Sequence, residues 1–298
     1  MSLRRWLDCA RLNARVVALA GSRQWVRTAE TAASYDRLAL QYDANWQRHL
    51  APVTLNLLKN IAEAPDGILL DLGCGTGFAT AWCAARWPAR SIRAVDLSEG
   101  MLEVARRRCA GRKNVRFERA DLLEFLRRQG NASVAMIVAA WSIGYSRPSA
   151  VIERSARVLR AGGRLAFVVN AAESLSAVRQ AFRRTMGRFP GELHRLAWPR
   201  FPRGAAPLRR ALRRAKLAVE WWREDALPIV PTLDERGRVL PWLLNTGVLA
   251  GFDAMLPLAD EGPAAEYFEA CLQDGGLDLR HHYLAGIAVK PVCDRASI

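Results

Sequence analysis

From Gly67 to Val169 the chain repeats one pattern: a short apolar run, a turn, then a stretch of helical periodicity. The apolar runs are Gly67–Leu72, Ser91–Asp96, Asn114–Arg119, Ser133–Ala139 and Arg164–Val169. Helices are predicted between them over Phe78–Trp87, Glu99–Cys109, Asp121–Arg128 and Ala150–Leu159. A strand joined to the next through a helix returns in the same direction, so this alternation predicts an α/β fold with a doubly wound parallel sheet. Strands with almost no polar interruption fit a sheet covered on both faces. Ala161-Gly-Gly163 reads as the turn that opens the fifth strand.

Outside this repeat the pattern is mainly helical. Leu3, Trp6, Leu7, Ala10, Ala14 and Val17 recur at helical spacing, with Arg4, Asp8, Arg11 and Arg15 on the opposite face. Arg27–Asn60 reads as helix, with turns near Ala51-Pro52. Residues 171–216 are basic and mostly helical, broken at Phe189-Pro190-Gly191, Trp198-Pro199 and Phe201-Pro202. Leu217–Arg223 and Tyr283–Lys290 are predicted as two further strands. The expected organisation is a helical extension over 1–60, a core over 61–170, a basic helical insertion over 171–216, and a return to the core over 217–298. The last part contains an insertion at about 225–279, whose apolar pieces Trp242–Asn245, Val248–Phe252 and Met255-Leu256 suit a lid or a dimer interface.

Composition limits the function classes. With 298 residues, 51% hydrophobic and 24% charged, the chain has material for a large core and is not a disordered polymer. No apolar window is long enough for a membrane-spanning helix, and the run Val16–Gly21 is too short for an export signal. Six cysteines without a Cys-x-x-Cys pair are expected to be reduced thiols in a cytoplasm, with no metal site. The net charge of +15 is concentrated: 171–216 holds twelve Arg/Lys against Glu173 and Glu192. Such a strip attracts polyanions, whether RNA, acidic lipid headgroups, or a phosphorylated or carrier-tethered substrate, unless it is simply a solvated helix face. The basic amphipathic segment 1–20 suits a membrane surface, its own domain or a second subunit.

The chemistry is concentrated after the first strand, at Asp71-Leu-Gly73-Cys-Gly75-Thr-Gly77. Alternate glycines permit a sharp turn and close ligand approach, and the following helix offers unpaired N–H groups. The spacing is Gly-x-Gly-x-Gly, not the dinucleotide Gly-x-Gly-x-x-Gly, and Asp71 would repel a pyrophosphate but attract an ammonium group. Asp96 ends the second strand, where a carboxylate accepts from both hydroxyls of a ribose. Asp121 follows the third strand, placed to read an adenine amino group or to cap its helix.

These motifs resemble the class I S-adenosylmethionine-dependent methyltransferases of small-molecule type. The carriers are Leu70–Gly77, Ala94-Val-Asp96-Leu-Ser98 with Met101-Leu102, Ala120-Asp121-Leu122 and Leu159-Arg-Ala-Gly-Gly163. Tyr35–Asp43 adds a tyrosine–aspartate helix before the core. The resemblance implies a Rossmann-like seven-stranded, mostly parallel sheet of order 3-2-1-4-5-7-6 with strand 7 antiparallel. It implies S-adenosyl-L-methionine as cofactor, with Gly73, Gly75 and Gly77 (and Cys74 between them) at the methionine end and Asp71 toward its ammonium. It further implies Asp96 on the ribose, Leu97 and Met101 flanking the adenine, Asp121 with Leu122 at its amino group, and Tyr35 and Tyr42 as a cap.

The expected reaction is direct, in-line methyl transfer to a small-molecule acceptor such as a natural product, quinone or lipid. Trp141 and Tyr145, after the fourth strand, are the aromatic residues expected near the sulfonium, or ordinary apolar lining. His281-His282 precedes the predicted seventh strand, and His282 is the candidate base. Two alternatives keep some of these features: other chemistry at the same sulfonium (aminocarboxypropyl transfer or cyclisation), and RNA or membrane-surface binding through the basic strip.

Overall fold

The computed structural model describes residues 3–197, 200–277 and 279–292, with side chains from Asp8 onward. Trp198-Pro199, Cys293 and the side chains of Leu3, Trp6 and Leu7 lie outside the described residues. Helices α1 (Leu3–Gly21), α2 (Thr28–Tyr42) and α3 (Arg48–Lys59) precede the repeat. The parallel strands β1 (Ile68–Leu72), β2 (Ile92–Asp96), β3 (Val115–Arg119), β4 (Val134–Ala140) and β5 (Leu159–Asn170) then alternate with α4 (Phe78–Arg86), α5 (Glu99–Arg108), α6 (Leu122–Arg128) and α7 (Pro148–Val158). After α8 (Ser176–Arg188) and α9 (Ala206–Arg214) come β6 (Ala218–Ile229), α10 (Leu240–Leu244), α11 (Pro263–Asp274) and β7 (Leu279–Val289). The sheet order is β3-β2-β1-β4-β5-β7-β6, with β7 antiparallel to β5, as the resemblance implies.

The chain divides into two compact units. One comprises residues 48–174, 199–227 and 282–298 and holds β1–β5 with most of β6 and β7. Its central strands are buried on both faces, and Leu70, Leu72, Ile137, Phe167 and Leu284 share one core with Leu208 and Leu212 of α9. The other unit comprises residues 1–47, 175–198 and 228–281. There Phe182 of α8 packs edge-on against Phe252 and Phe268, at 5.9 and 6.3 Å between ring centroids. Buried Glu269 of α11 accepts the N–H groups of Val239 and Leu240 at 3.0 and 2.8 Å, satisfying the start of α10.

Four expectations are corrected. The helix break expected at Ala51-Pro52 comes earlier, as a π turn over Asp43–Gln47, and Pro52 falls inside α3, where the ladder has just been irregular. The turn expected at Ala161–Gly163 is a bulge within β5: Gly162 takes φ +74 and its N–H still bonds Lys290 O at 2.8 Å. β6 extends six residues past its predicted end at Arg223, because an edge strand tolerates the polar residues and Pro228 that read as loop. β7 begins at Leu279, so His281 and His282 lie within the strand rather than before it.

Candidate functional site

The site is built on β1, the strand between β2 and β4, whose C-terminal end carries Asp71 and the glycine turn. The turn hangs from β2: the N–H groups of Gly73 and Cys74 both donate to Val95 O, at 2.7 and 3.0 Å. Gly73, Gly75 and Gly77 all have positive φ, at +70, +52 and +79. They serve different ends. A Cβ at Gly73 would overlap that of Ser142, whose hydroxyl donates to Leu72 O at 2.5 Å. One at Gly77 would lie 2.9 Å from Ala105 Cβ, so this glycine lets α4 and α5 approach. A Cβ at Gly75 would meet nothing within 4 Å. Gly75 is therefore the glycine that faces open space, and α4 begins beyond it without a capping side chain.

Asp71 is buried, 1% exposed, and Oδ2 accepts the Thr80 hydroxyl at 2.5 Å. Its Oδ1 has no partner among the described residues. Burial pushes its pKa up to about 7, against the Thr80 hydrogen bonds, and the neighbouring Asp96 charge adds to the rise. Between the glycines, the buried Cys74 thiol is pushed well above the ordinary range by burial and by the Asp96 and Asp71 carboxylates. Asp96 sits between two backbone donors: Oδ2 accepts Gly75 N–H at 2.9 Å and Oδ1 accepts Ser98 N–H at 3.0 Å. Leu97 is half-buried, and Met101 is buried in the first turn of α5, capped by Ser98. Asp121 caps α6 through Oδ1, which accepts Leu123 and Glu124 N–H at 2.9 and 3.1 Å; Leu122 is half-buried beside it. Asp71, Asp96 and Asp121 thus stand at the ends of three neighbouring elements, with Asp96 also bracing the glycine turn.

The chain leaving β4 is held from distant positions. Trp141 has φ +63, unusual for a bulky residue, and is buried. Its Nε1–H donates to Thr54 Oγ1 at 3.0 Å and its ring meets Tyr283 edge-on at 5.8 Å. Tyr145, 41% exposed, packs edge-on against Phe201 at 5.6 Å. The Phe201 ring also lies over Gly144, where a Cβ would sit 2.6 Å from it. His282 is half-buried, and its backbone carbonyl accepts Ala171 N–H at 2.9 Å and the Ser174 hydroxyl. Thr54, Thr80, Ser142 and Phe201 were not singled out by sequence, and no local spacing marks them.

Two predicted residues belong to the other unit. Tyr35 and Tyr42 lie edge-to-face on α2 at 6.1 Å, both beside Gly247. His281 is buried in that unit, 5.3 Å from the Trp46 ring. No group of residues suited to a metal ion occurs among the described residues.

Residues 69–163 match the family model described as a methyltransferase domain. The chain is 31% identical over 126 residues to the malonyl-[acyl-carrier protein] O-methyltransferase of Halalkalibacterium halodurans, covering 41% of this chain and 46% of that protein. It is 42% identical over 77 residues to the trans-aconitate 2-methyltransferase of Sinorhizobium fredii, covering 26% and 29%. The chain thus spans less than half the length of each of these relatives. The YcgJ protein of Bacillus subtilis has a similar fold, with TM-score 0.55 and 17% identity over 80% of this chain and 98% of that one. The sheet order and the glycine turn agree with the matched segment: residues 69–163 are similar to a methyltransferase domain, set in a sheet of the order that the resemblance to class I S-adenosylmethionine-dependent methyltransferases implies.

Proposed function

We propose that this protein transfers a methyl group from S-adenosylmethionine to a carboxylate-bearing small molecule. The observation that carries the cofactor assignment is the buried, unpartnered Oδ1 of Asp71 beside a turn left open at Gly75. An orphaned carboxylate oxygen is costly unless a donor reaches it, and an ammonium group on the ligand is such a donor. Asp96 accepts Gly75 and Ser98 N–H, one at each carboxylate oxygen, and its place at the end of β2 supports the reading that it accepts from a ribose diol. Asp121 is committed at Oδ1 to capping, so Oδ2 is the atom proposed for an adenine amino group. The cofactor supplies a methyl group on a positively charged sulfur.

The chain's own part is to orient and to exclude water. Trp141 and Tyr145 are proposed to line the acceptor side, the first held rigidly by Thr54 and Tyr283, the second exposed and backed by Phe201. A carboxylate is already a nucleophile at neutral pH, so this reading assigns no essential proton transfer to His282. Relatives named for malonyl-carrier and trans-aconitate methylation support an acidic acceptor.

The test is product analysis after incubation with S-adenosylmethionine and a panel containing malonyl-coenzyme A and trans-aconitate. S-adenosylhomocysteine and a methyl ester are expected. Methylthioadenosine would overturn the proposal in favour of chemistry at another sulfonium carbon.

A further inference from the structure

The basic run of the sequence is divided between the two units, α8 in one and α9 in the other. α8 meets only part of its charge, since its exposed Arg183 and Arg188 make no ion pair among the described residues. On α8, Arg184 pairs with Asp274. Elsewhere, Arg106, Arg164, Arg195 and Arg238 each lie on a carboxylate. On α9, Arg209, Arg210, Arg213 and Arg214 are all exposed and, among the described residues, none makes an ion pair. Their spacing stacks Arg209 over Arg213 and Arg210 over Arg214, an arrangement that weakens a helix by like-charge repulsion. Arg203 and Lys216 extend the exposed positive charge at both ends.

The position of α9 gives this face a direction. Phe201 packs on Tyr145, and Ala172 N–H donates to Pro202 O at 2.9 Å, so the segment before α9 is pinned just past the end of β5. Beyond α9, Glu220 pairs with Arg164 in the earlier part of β5. The helix therefore starts at the sheet edge carrying Tyr145 and runs about 12 Å away from it. A partner seated on these arginines stands beside the acceptor edge, a short flexible arm's length from it.

We infer that the arginine face of α9 docks an acidic carrier protein that presents the acceptor on a flexible arm. This rests on the methyl-transfer reading above. Planar guanidinium groups in two rows suit carboxylates on a facing helix. A lipid surface is disfavoured because the apolar residues of α9, Leu208 and Leu212, are buried in the core at 2% and 1% exposure, leaving nothing to insert. Single-stranded RNA is disfavoured because the nearby aromatic, Trp222, is covered by Arg209, whose guanidinium lies 4.6 Å from the ring centroid.

The experiment uses the full chain with a purified acidic acyl carrier protein loaded with a malonyl thioester, and malonyl-coenzyme A as the untethered counterpart. Binding to the loaded carrier, measured by calorimetry, is expected to weaken steeply with salt and at least tenfold in R210E/R213E/R214E. The KM for the carrier-bound acceptor should rise equally, with kcat and the KM for malonyl-coenzyme A unchanged. R183E/R188E on α8 should change neither, and R210Q/R213Q/R214Q, with a wild-type melting temperature, should reproduce the loss. Wild-type carrier affinity in both α9 triple variants would overturn the inference, as would tighter wild-type binding to a uridine 20-mer or to phosphatidylglycerol vesicles. Because carrier binding is read without turnover, failure of the methyl-transfer reading shows separately, as no S-adenosylhomocysteine from either acceptor.

Discussion

The turns that follow β1 and β4 leave adjacent parallel strands, yet they are held in opposite ways. After β1 the backbone takes positive φ at three glycines, which enter that region easily, and one side chain, Asp96, braces the turn at Gly75. After β4 the same half of conformational space is entered by Trp141, a residue that pays for it in strain. That strain persists because Thr54, Tyr283 and the Val168 carbonyl, which accepts Trp141 N–H at 2.7 Å, fix the residue from three sides. The first turn takes its shape from its own glycines, braced by Val95 and Asp96 of the neighbouring strand, and the second from residues far along the chain. In the proposed reaction the first would meet the cofactor and the second the acceptor.

The largest expected effect breaks the first turn from its bracing side chain. Asp96→Ala removes both the acceptor of Gly75 N–H and the proposed ribose ligand. Two charge-assisted bonds lost together correspond to about 4 kcal/mol, roughly a thousandfold in affinity. Calorimetry with S-adenosylhomocysteine should find no measurable binding in a variant whose circular dichroism is unchanged. Next comes the division of labour among the glycines. Gly73→Ala forces a methyl into Ser142 and a disfavoured φ, and should cost about 3 kcal/mol of stability in denaturant titration. Gly75→Ala faces open space and should cost only about 1 kcal/mol, the price of its φ, while lowering cofactor affinity at least tenfold. Equal destabilisation by the two alanines would erase the distinction between a glycine kept for the protein and one kept for the ligand.

The second turn is tested at Thr54. Thr54→Val keeps the shape but removes the hydroxyl that accepts Trp141 Nε1–H, which costs about 2 kcal/mol. Cofactor affinity should stay at the wild-type value while kcat falls, because the disturbed residue lies on the proposed acceptor side. An unchanged kcat would mean that Trp141 is packing and nothing more.

The same contrast explains what could be read in the sequence. β1 to β5, the glycine turn and the three aspartates are legible because each rests on local chemistry: strand periodicity, a turn only glycine enters easily, a carboxylate at a strand end. The seven-strand order followed from the resemblance, which supplied the long-range pairing that periodicity lacks. The β5 bulge was read as a turn because two glycines in a row look the same in either setting. β6 was cut short because an edge strand need not bury a face, so Glu224, Asp225 and Pro228 gave no strand signal. Thr54, Ser142 and Phe201 act only through partners distant in sequence, and their identities carry no mark of it. The gathering of residues 1–47, 175–198 and 228–281 into one unit is likewise a property of packing between segments that look independent.

The smallest predicted effect is a pH dependence, and its sign separates Asp71 as a ligand group from Asp71 as a structural one. Its folded-state value of about 7 lies above the ordinary carboxylate value of 3.8, so the native state holds this proton where the unfolded chain has lost it. Its contribution to stability is therefore full below pH 4 and is lost as the pH rises through 7. Asp71→Asn should remove that loss, making the variant relatively more stable at pH 8 than at pH 5. Binding has the opposite slope. An ammonium group is attracted to the ionised form, whose population rises about tenfold between pH 6 and pH 8 for a group titrating near 7. Affinity for S-adenosylhomocysteine, measured across that range, should climb by up to that factor in the wild type and stay flat in Asp71→Asn. A wild-type affinity that fell with pH, or a variant that kept the climb, would remove Asp71 from the ammonium site and leave its buried Oδ1 to be satisfied by another donor.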